Sequence, residues 1–430
     1  MSTLKVNKLR DTAGSADAIT LDPNGGAVLA GVTTVTSVKV GAAVTISESG
    51  IEASGIGITC ANINGTQIGG RRNLIINGAM NVAQRGTSST STGYQTVDRF
   101  YGDFSGTDEA PTFAQVDLSS SDTPYSLGFR KALKITNGNQ TSGAGTADKV
   151  LIYQRIEAQN LAQSGWNYTS SSSNVTLSFW VKSSVAQNFY GYLRAPDGTS
   201  QNYPFETGSL SADTWTKITK TISGNSNLTI DNNNNIGLEF NIVPFWGTDN
   251  TGSVSLNAWA AFNGSVRMPD NTSTWYTTND ATFEITGVQL EVGSQATAFE
   301  HRSYGEELAL CQRYYEMIAF STGSGTQAIV SLGMQYATNG GFYGDIVFKQ
   351  TMRAIPTLDS NNSTGDNETF ELFSASNSSG VKFNALDGIT GQNTRSLLVY
   401  KNSVSATGGD ACILRMEPDA GKTFGLSAEL

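Results

Sequence analysis

VTLSFWVKSS, residues 175–184, decides the fold class. Side chains of a strand alternate between its two faces, so Val175, Leu177, Phe179 and Val181 share one face while Thr176, Ser178, Trp180 and Lys182 share the other. The first face belongs in a core. NFYGYLRAPDG, residues 188–198, repeats the pattern: Phe189 and Leu193 point one way, Tyr190, Tyr192 and Arg194 the other, and a Pro-Asp-Gly turn ends the run. TWTKITKTIS (214–223), IGLEFNIVPFW (236–246) and ATFEITGVQLEVG (281–293) continue the series between Asn/Gly/Ser turns. Strands recurring without helical signals predict a central jelly roll or β-sandwich over 71–303.

C-terminal to this region, FEHRSYGEELALCQRYYEMI (299–318) breaks the pattern. Ser303 can cap a helix, Glu306 stands three residues on as in a capping box, and Leu308, Cys311, Tyr315 and Met317 form a helical stripe. A connecting helix is expected over 304–317. Six further strand-like runs between 328 and 418 predict a small C-terminal β-sandwich over 318–430. The 71–303 region is expected to fold by itself.

Toward the N-terminus the chain changes character. Residues 1–70 contain no aromatic residue, and 28–70 alternate Val, Ile and Thr with Gly at short intervals. Very short strands of this kind expose apolar rows that so small a segment cannot bury alone. Identical chains wound together supply the missing cover and leave no free edge. Residues 1–70 are therefore expected to form an oligomeric β stalk, homotrimeric, the alternative being a flexible linker.

Composition agrees with a mostly β protein: 46 glycines and only 15% charged residues suit strands and tight turns more than helices. The net charge of -10, without a long basic cluster, argues against nucleic acid and anionic lipid as partners. MSTLKVNKLRDTAGSADAITL lacks the apolar core of a signal peptide, and no run of 18 apolar residues is present, so cytoplasmic synthesis without membrane insertion is expected. Cys60, Cys311 and Cys412 have neither CxxC spacing nor an even count and are read as reduced, buried thiols rather than disulfide or zinc ligands.

RRNLIINGAMNVAQRGT (71–87), YQTVDRF (94–100), YQRIEAQNL (153–161), VTLSFWVKSS, the long run 283–316 and KQTMRAIPTLDS (349–360) form an ordered series. This series resembles tail-fibre and other appendage proteins of tailed bacteriophages, especially those of marine bacteria. MSTLKVNKLRDTAG and VGAAVTISESGIEASGI (40–56) are similar to the N-terminal regions of such fibres. The resemblance implies a virion protein, attached to other tail or virion proteins through its N-terminus, with a trimeric stalk and a distal sandwich similar to carbohydrate-binding modules.

Host surface polysaccharide is the partner this chemistry suits, because glycans offer hydroxyls and apolar C–H faces to flat aromatics and to Asn, Gln, Asp and Arg. Trp180, Tyr190, Tyr192 and Arg194 are the candidate glycan patch. Should a helix or partner chain cover that face, they form a second core instead. Asp231 and the four asparagines after it carry oxygen ligands for a hard cation, but without DxDxDG order a polar turn is expected and no metal is assigned. Asp98 and Arg99 suit a local ion pair or buried fork, and His301, the single histidine, a structural bond. No catalytic residues and no cofactor are assigned: GxSxG, HExxH and P-loop motifs are missing, as is the repeat period of a long parallel β-helix. The readings are an adhesin of the tail fibre, an architectural head, neck or decoration protein, and, third, a polysaccharide depolymerase.

Overall fold

The computed structural model describes residues 72–321, 327–361, 369–417 and 422–430, together with six short strands between 8 and 53. The chain divides into two compact units, Met1–Ala61 and Asn62–Leu430. In the first, Lys8–Arg10, Asp17–Leu21 and Ala27–Leu29 form one antiparallel sheet, and Ser37–Val40, Val44–Ser47 and Gly50–Ala53 another. The rest of the stalk assigned to 1–70, Cys60 included, lies outside the described residues.

The second unit contains a two-layer β-sandwich. One layer, the back sheet, runs in the order Thr216–Ser223, Asn174–Ser183, Thr282–Val292, Lys131–Thr136, Thr112–Asp117, Ser88–Ser89. The other, the front sheet, runs Ala260–Ala261, Gln201–Ser209, Asn188–Ala195, Ile236–Trp246, Lys149–Glu157, Tyr101–Ser105. All pairings are antiparallel. The alternation in 175–181 places Val175, Leu177, Phe179 and Val181 in the core, all fully buried. Phe179 meets Phe240 and Phe205 of the facing sheet at 6.0 and 6.3 Å between ring centroids. A core substitution here removes contacts from both layers at once.

Some strands consecutive in sequence lie in different sheets. Asn174–Ser183 pairs within the back sheet, and the short segment 184–187 carries the chain across the sandwich to Asn188–Ala195 in the front sheet. Opposite the bulge between Ser178 and Trp180, Gly287 has φ of +64°. A Cβ there would sit 2.7 Å from the Phe129 ring and 3.2 Å from that of Trp180, so both the backbone and the space call for glycine.

The helix covers Tyr304–Gln312, with the expected capping box between Ser303 and Glu306. It ends short of residue 317. Arg313 and Tyr314 turn instead to the buried Glu157, and Tyr315–Phe320 pairs as a strand with Thr423–Ser427. Beyond it, a seven-stranded sheet and the three-stranded sheet of Tyr315–Phe320, Thr423–Ser427 and Thr357–Asn361 share one core, with Phe342, Leu397 and Leu414 from the first meeting Phe424 and Leu426 from the second. The six expected runs all form strands of the larger sheet. Thr357–Asn361, Gly388–Thr390 and Thr423–Ser427 are additional.

This C-terminal body and the sandwich belong to the same compact unit. Arg99 pairs with Glu429, Arg85 with Asp359 and Glu429, and Arg313 with Glu157 across the junction. Cys311 and Cys412 are free and buried. Among the described residues no helix is long and apolar enough to cross a membrane.

Candidate functional site

The four residues expected to make one patch occupy two opposite surfaces. Trp180 lies on the outer face of the back sheet, whereas Tyr190, Tyr192 and Arg194 lie on the outer face of the front sheet, with the whole core between them. Trp180 joins Phe129, Phe299 and His301 around a cavity of about 200 Å³. His301 Nε2 is 2.9 Å from the carbonyl oxygen of Leu127. Tyr192 is a further correction: only 3% exposed, it is part of a small second core with Leu151, Val243 and Trp246 and offers no free ring face. Tyr190 and Arg194 remain half-exposed.

The front sheet's outer face follows from its registers. One row crosses it as Tyr101, Tyr153, Asn241, Tyr192 and Pro204. The next row is Arg155, Glu239, Arg194 and Asn202. Tyr101 and Tyr153 stack with centroids 4.6 Å apart and planes 9° apart, and Tyr94 meets Tyr101 edge-on at 5.1 Å. Arg155 donates from Nε to Glu239 at 2.8 Å and from Nη1 to the main-chain oxygen of Leu430 at 2.7 Å. A row rich in tyrosine thus runs beside a charged and amide row.

The loop between Trp246 and Ser273 folds over one side of this face. Arg267 stacks its guanidinium 4.4 Å from the Trp246 ring, and Arg194 stacks at the same 4.4 Å on Phe262. Asn202 donates to the Arg267 carbonyl at 2.7 Å. Five buried polar atoms here have no hydrogen-bond partner: Asn202 Oδ1, Asn241 Oδ1, Trp246 Nε1, Arg267 Nε and Asn271 Nδ2. Buried polar atoms are normally paired, so such a concentration marks a place where water or a polar ligand completes the bonding.

The ionisation of Arg155 and Tyr192 is set by these surroundings. Burial works against the Arg155 charge, but the Glu239 carboxylate and its hydrogen bond more than offset this and raise the guanidinium above its ordinary range. Burial, reinforced by Glu239, pushes the Tyr192 phenol up, so it stays neutral. At the ends of these strands a cavity of about 410 Å³ is lined by Pro196, Asp197, Asn235, Ile236, Arg353 and Leu430. Asp231 and the asparagines after it form a turn in which Asn233 Oδ1 accepts from the Asn235 N–H at 2.8 Å.

Aromatic planes beside fixed donors and acceptors suit a neutral, hydroxyl-rich ligand laid along the sheet. Tyr101, Tyr153, Arg155, Glu239 and Asn241 were missed in the sequence reading. A signal for the last two existed: Glu239 and Asn241 stand two apart in the otherwise apolar IGLEFNIVPFW, the spacing of one strand face.

The class this defines is a mostly β protein with sandwich-like sheets and an aromatic, polar outer sheet face. No family model and no curated protein matches the chain. Among solved structures it is similar to the enzymatically active domain of tailspike protein 4 of bacteriophage CBA120, at 11% identity over 51% of this chain and a TM-score of 0.27. The chain spans only 21% of that tailspike. It is also similar to a family 16 carbohydrate-binding module, at 10% identity over 41% of this chain and 84% of the module, with a TM-score of 0.21. The N-terminal cellulose-binding domain of Cellulomonas fimi β-1,4-glucanase C gives 10% identity, 50% and 99% coverage and a TM-score of 0.24. These are weak, partial likenesses, and the chemistry of the site rests on its own residues.

Proposed function

We propose that this chain is an adhesive virion protein of a tailed phage, a tail fibre that binds host surface polysaccharide through the outer face of the front sheet. The observation that carries the binding half is the row of Tyr101 and Tyr153 beside Arg155, Glu239 and Arg194, with five orphaned polar atoms under the same face. A sugar C–H face packs against the half-buried Tyr101, and ring hydroxyls exchange hydrogen bonds with the arginine–glutamate row. The phage assignment is supported by the ordered sequence series from RRNLIINGAM to KQTMRAIPTLDS. In this reading residues 1–70 hold three copies together and attach them to other virion proteins. Three weak sites on one particle raise avidity by about 10²–10⁴ without any new contact.

Binding in this account is not followed by bond cleavage, and it needs neither cofactor nor metal. The experiment is adsorption of the purified full chain to susceptible cells, with the supernatant assayed for released oligosaccharide. Adsorption without release is the expected result. Release would favour the depolymerase, and failure to adsorb, with density for the chain at the head or neck of the virion, would favour the architectural protein.

A further inference from the structure

Among the described residues, eight of the ten large apolar side chains that stand exposed are in the C-terminal body, although the sandwich is the larger part. Six of these eight share one surface. The seven-stranded sheet has the order Asn377–Phe383, Phe370–Ser374, Ala411–Met416, Ala328–Gln335, Phe342–Val347, Ser396–Lys401, Gly388–Thr390. Its inner face is core. On its outer face, register aligns Phe373, Ile413, Leu332, Asp345 and Leu398 in one row, and Ala411, Met334, Tyr343 and Tyr400 in the next. Leu332 is 62% exposed, Met334 54%, Ile413 41% and Val347 69%. In the first row Asp345 is the one side chain charged at neutral pH, and in the second there is none; Glu371 and Arg415 at the edge neutralise each other at 3.0 Å.

We infer that this open sheet face is a contact surface for a second copy of the chain, separate from any association through residues 1–70. Area, charge and shape point to that occupant. Seven strands at about 4.8 Å spacing and about six residues tall at about 3.3 Å rise give roughly 700 Å², close to the ~800 Å² each partner contributes to a standard interface. A net charge of -10 makes copies repel one another, and they can meet at low electrostatic cost where ionisable groups are sparse, as they are here. A sheet face can also pack on a second copy of itself: two such faces pack about 10 Å apart with side chains interdigitating, as in any sandwich. Other occupants, a different virion protein or a glycan on the Tyr336, Tyr343 and Tyr400 rings, predict no contact between copies.

The test uses the full chain with Cys60→Ser, leaving Cys311 and Cys412, both buried, in place. Met334→Cys puts a thiol in the middle of the face. Leu127→Cys, at a position 51% exposed on the sandwich, is the control. A short bis-maleimide at low protein concentration should give covalent dimers at position 334 at least about tenfold above position 127. Adding Leu332→Asp, a change at an exposed side chain, should cut that yield about tenfold. Equal yields at the two positions, no dimer at 334, or a yield at 334 that Leu332→Asp leaves unchanged would each overturn the inference.

Discussion

Asp98 and Arg99 are adjacent and buried, yet they do not pair with each other: the Asp98 carboxylate accepts from the Gln84 backbone N–H at 2.8 Å, while Arg99 takes Glu429 and stacks 3.4 Å from the Tyr314 ring. A positive φ of 73° at Arg99 turns the two side chains apart, which no residue pattern in VDRF announces. Burial raises the Asp98 carboxyl from 3.8 to about 6, against the pull of its bonds to Gln84. The folded protein therefore holds this proton more tightly than the unfolded chain. The stability it contributes is complete below about pH 4 and is lost as pH rises through 6. A shift of about two pKa units corresponds to roughly 3 kcal/mol. Urea unfolding at pH 4 and pH 7 should show a decline of that order in the native chain relative to Asp98→Asn; parallel pH profiles would contradict the assignment.

At the scale of elements, period-two alternation was legible where one buried face places apolar residues at every second position, but Tyr101–Ser105, Thr112–Asp117, Lys131–Thr136, Lys149–Glu157 and Gln201–Ser209 were not read as strands. Every run read as a strand, from 175–184 to 411–418, became one. The helix start was legible from its capping box, but its end was not. That end is set by a partner far away in sequence: Glu157, fully buried, accepts from Arg313 Nε at 2.7 Å and from Nη2 at 2.8 Å. Arg313→Ala would leave the carboxylate with the Tyr314 and Gln159 bonds but without its ion-pair partner, and breaking such a pair costs about 3–5 kcal/mol. Chemical denaturation should report a loss of that size, with Arg313→Lys recovering part of it; a loss under about 0.5 kcal/mol, the surface range, would show that the ion pair does not anchor the helix.

For the whole molecule, the candidate site was half legible. Tyr190 and Arg194 were found from their strand phase, but Trp180 was grouped with them because alternation tells inside from outside and not which of two sheets a strand joins. The crossing at 184–187 decides that, and it sends two consecutive strands to opposite faces. Tyr101, Tyr153 and Arg155 come from strands distant in sequence and are assembled only by sheet order. The two outer faces therefore make opposite predictions for binding. Retardation of the full chain in gels containing host surface polysaccharide measures this directly. Tyr190→Ala and Arg194→Ala, on the front face, should each weaken apparent affinity about tenfold, equivalent to about 1.4 kcal/mol. Trp180→Ala, on the back face, should bind like the native chain. Unchanged retardation by both front-face variants, or loss of retardation with Trp180→Ala alone, would contradict the account.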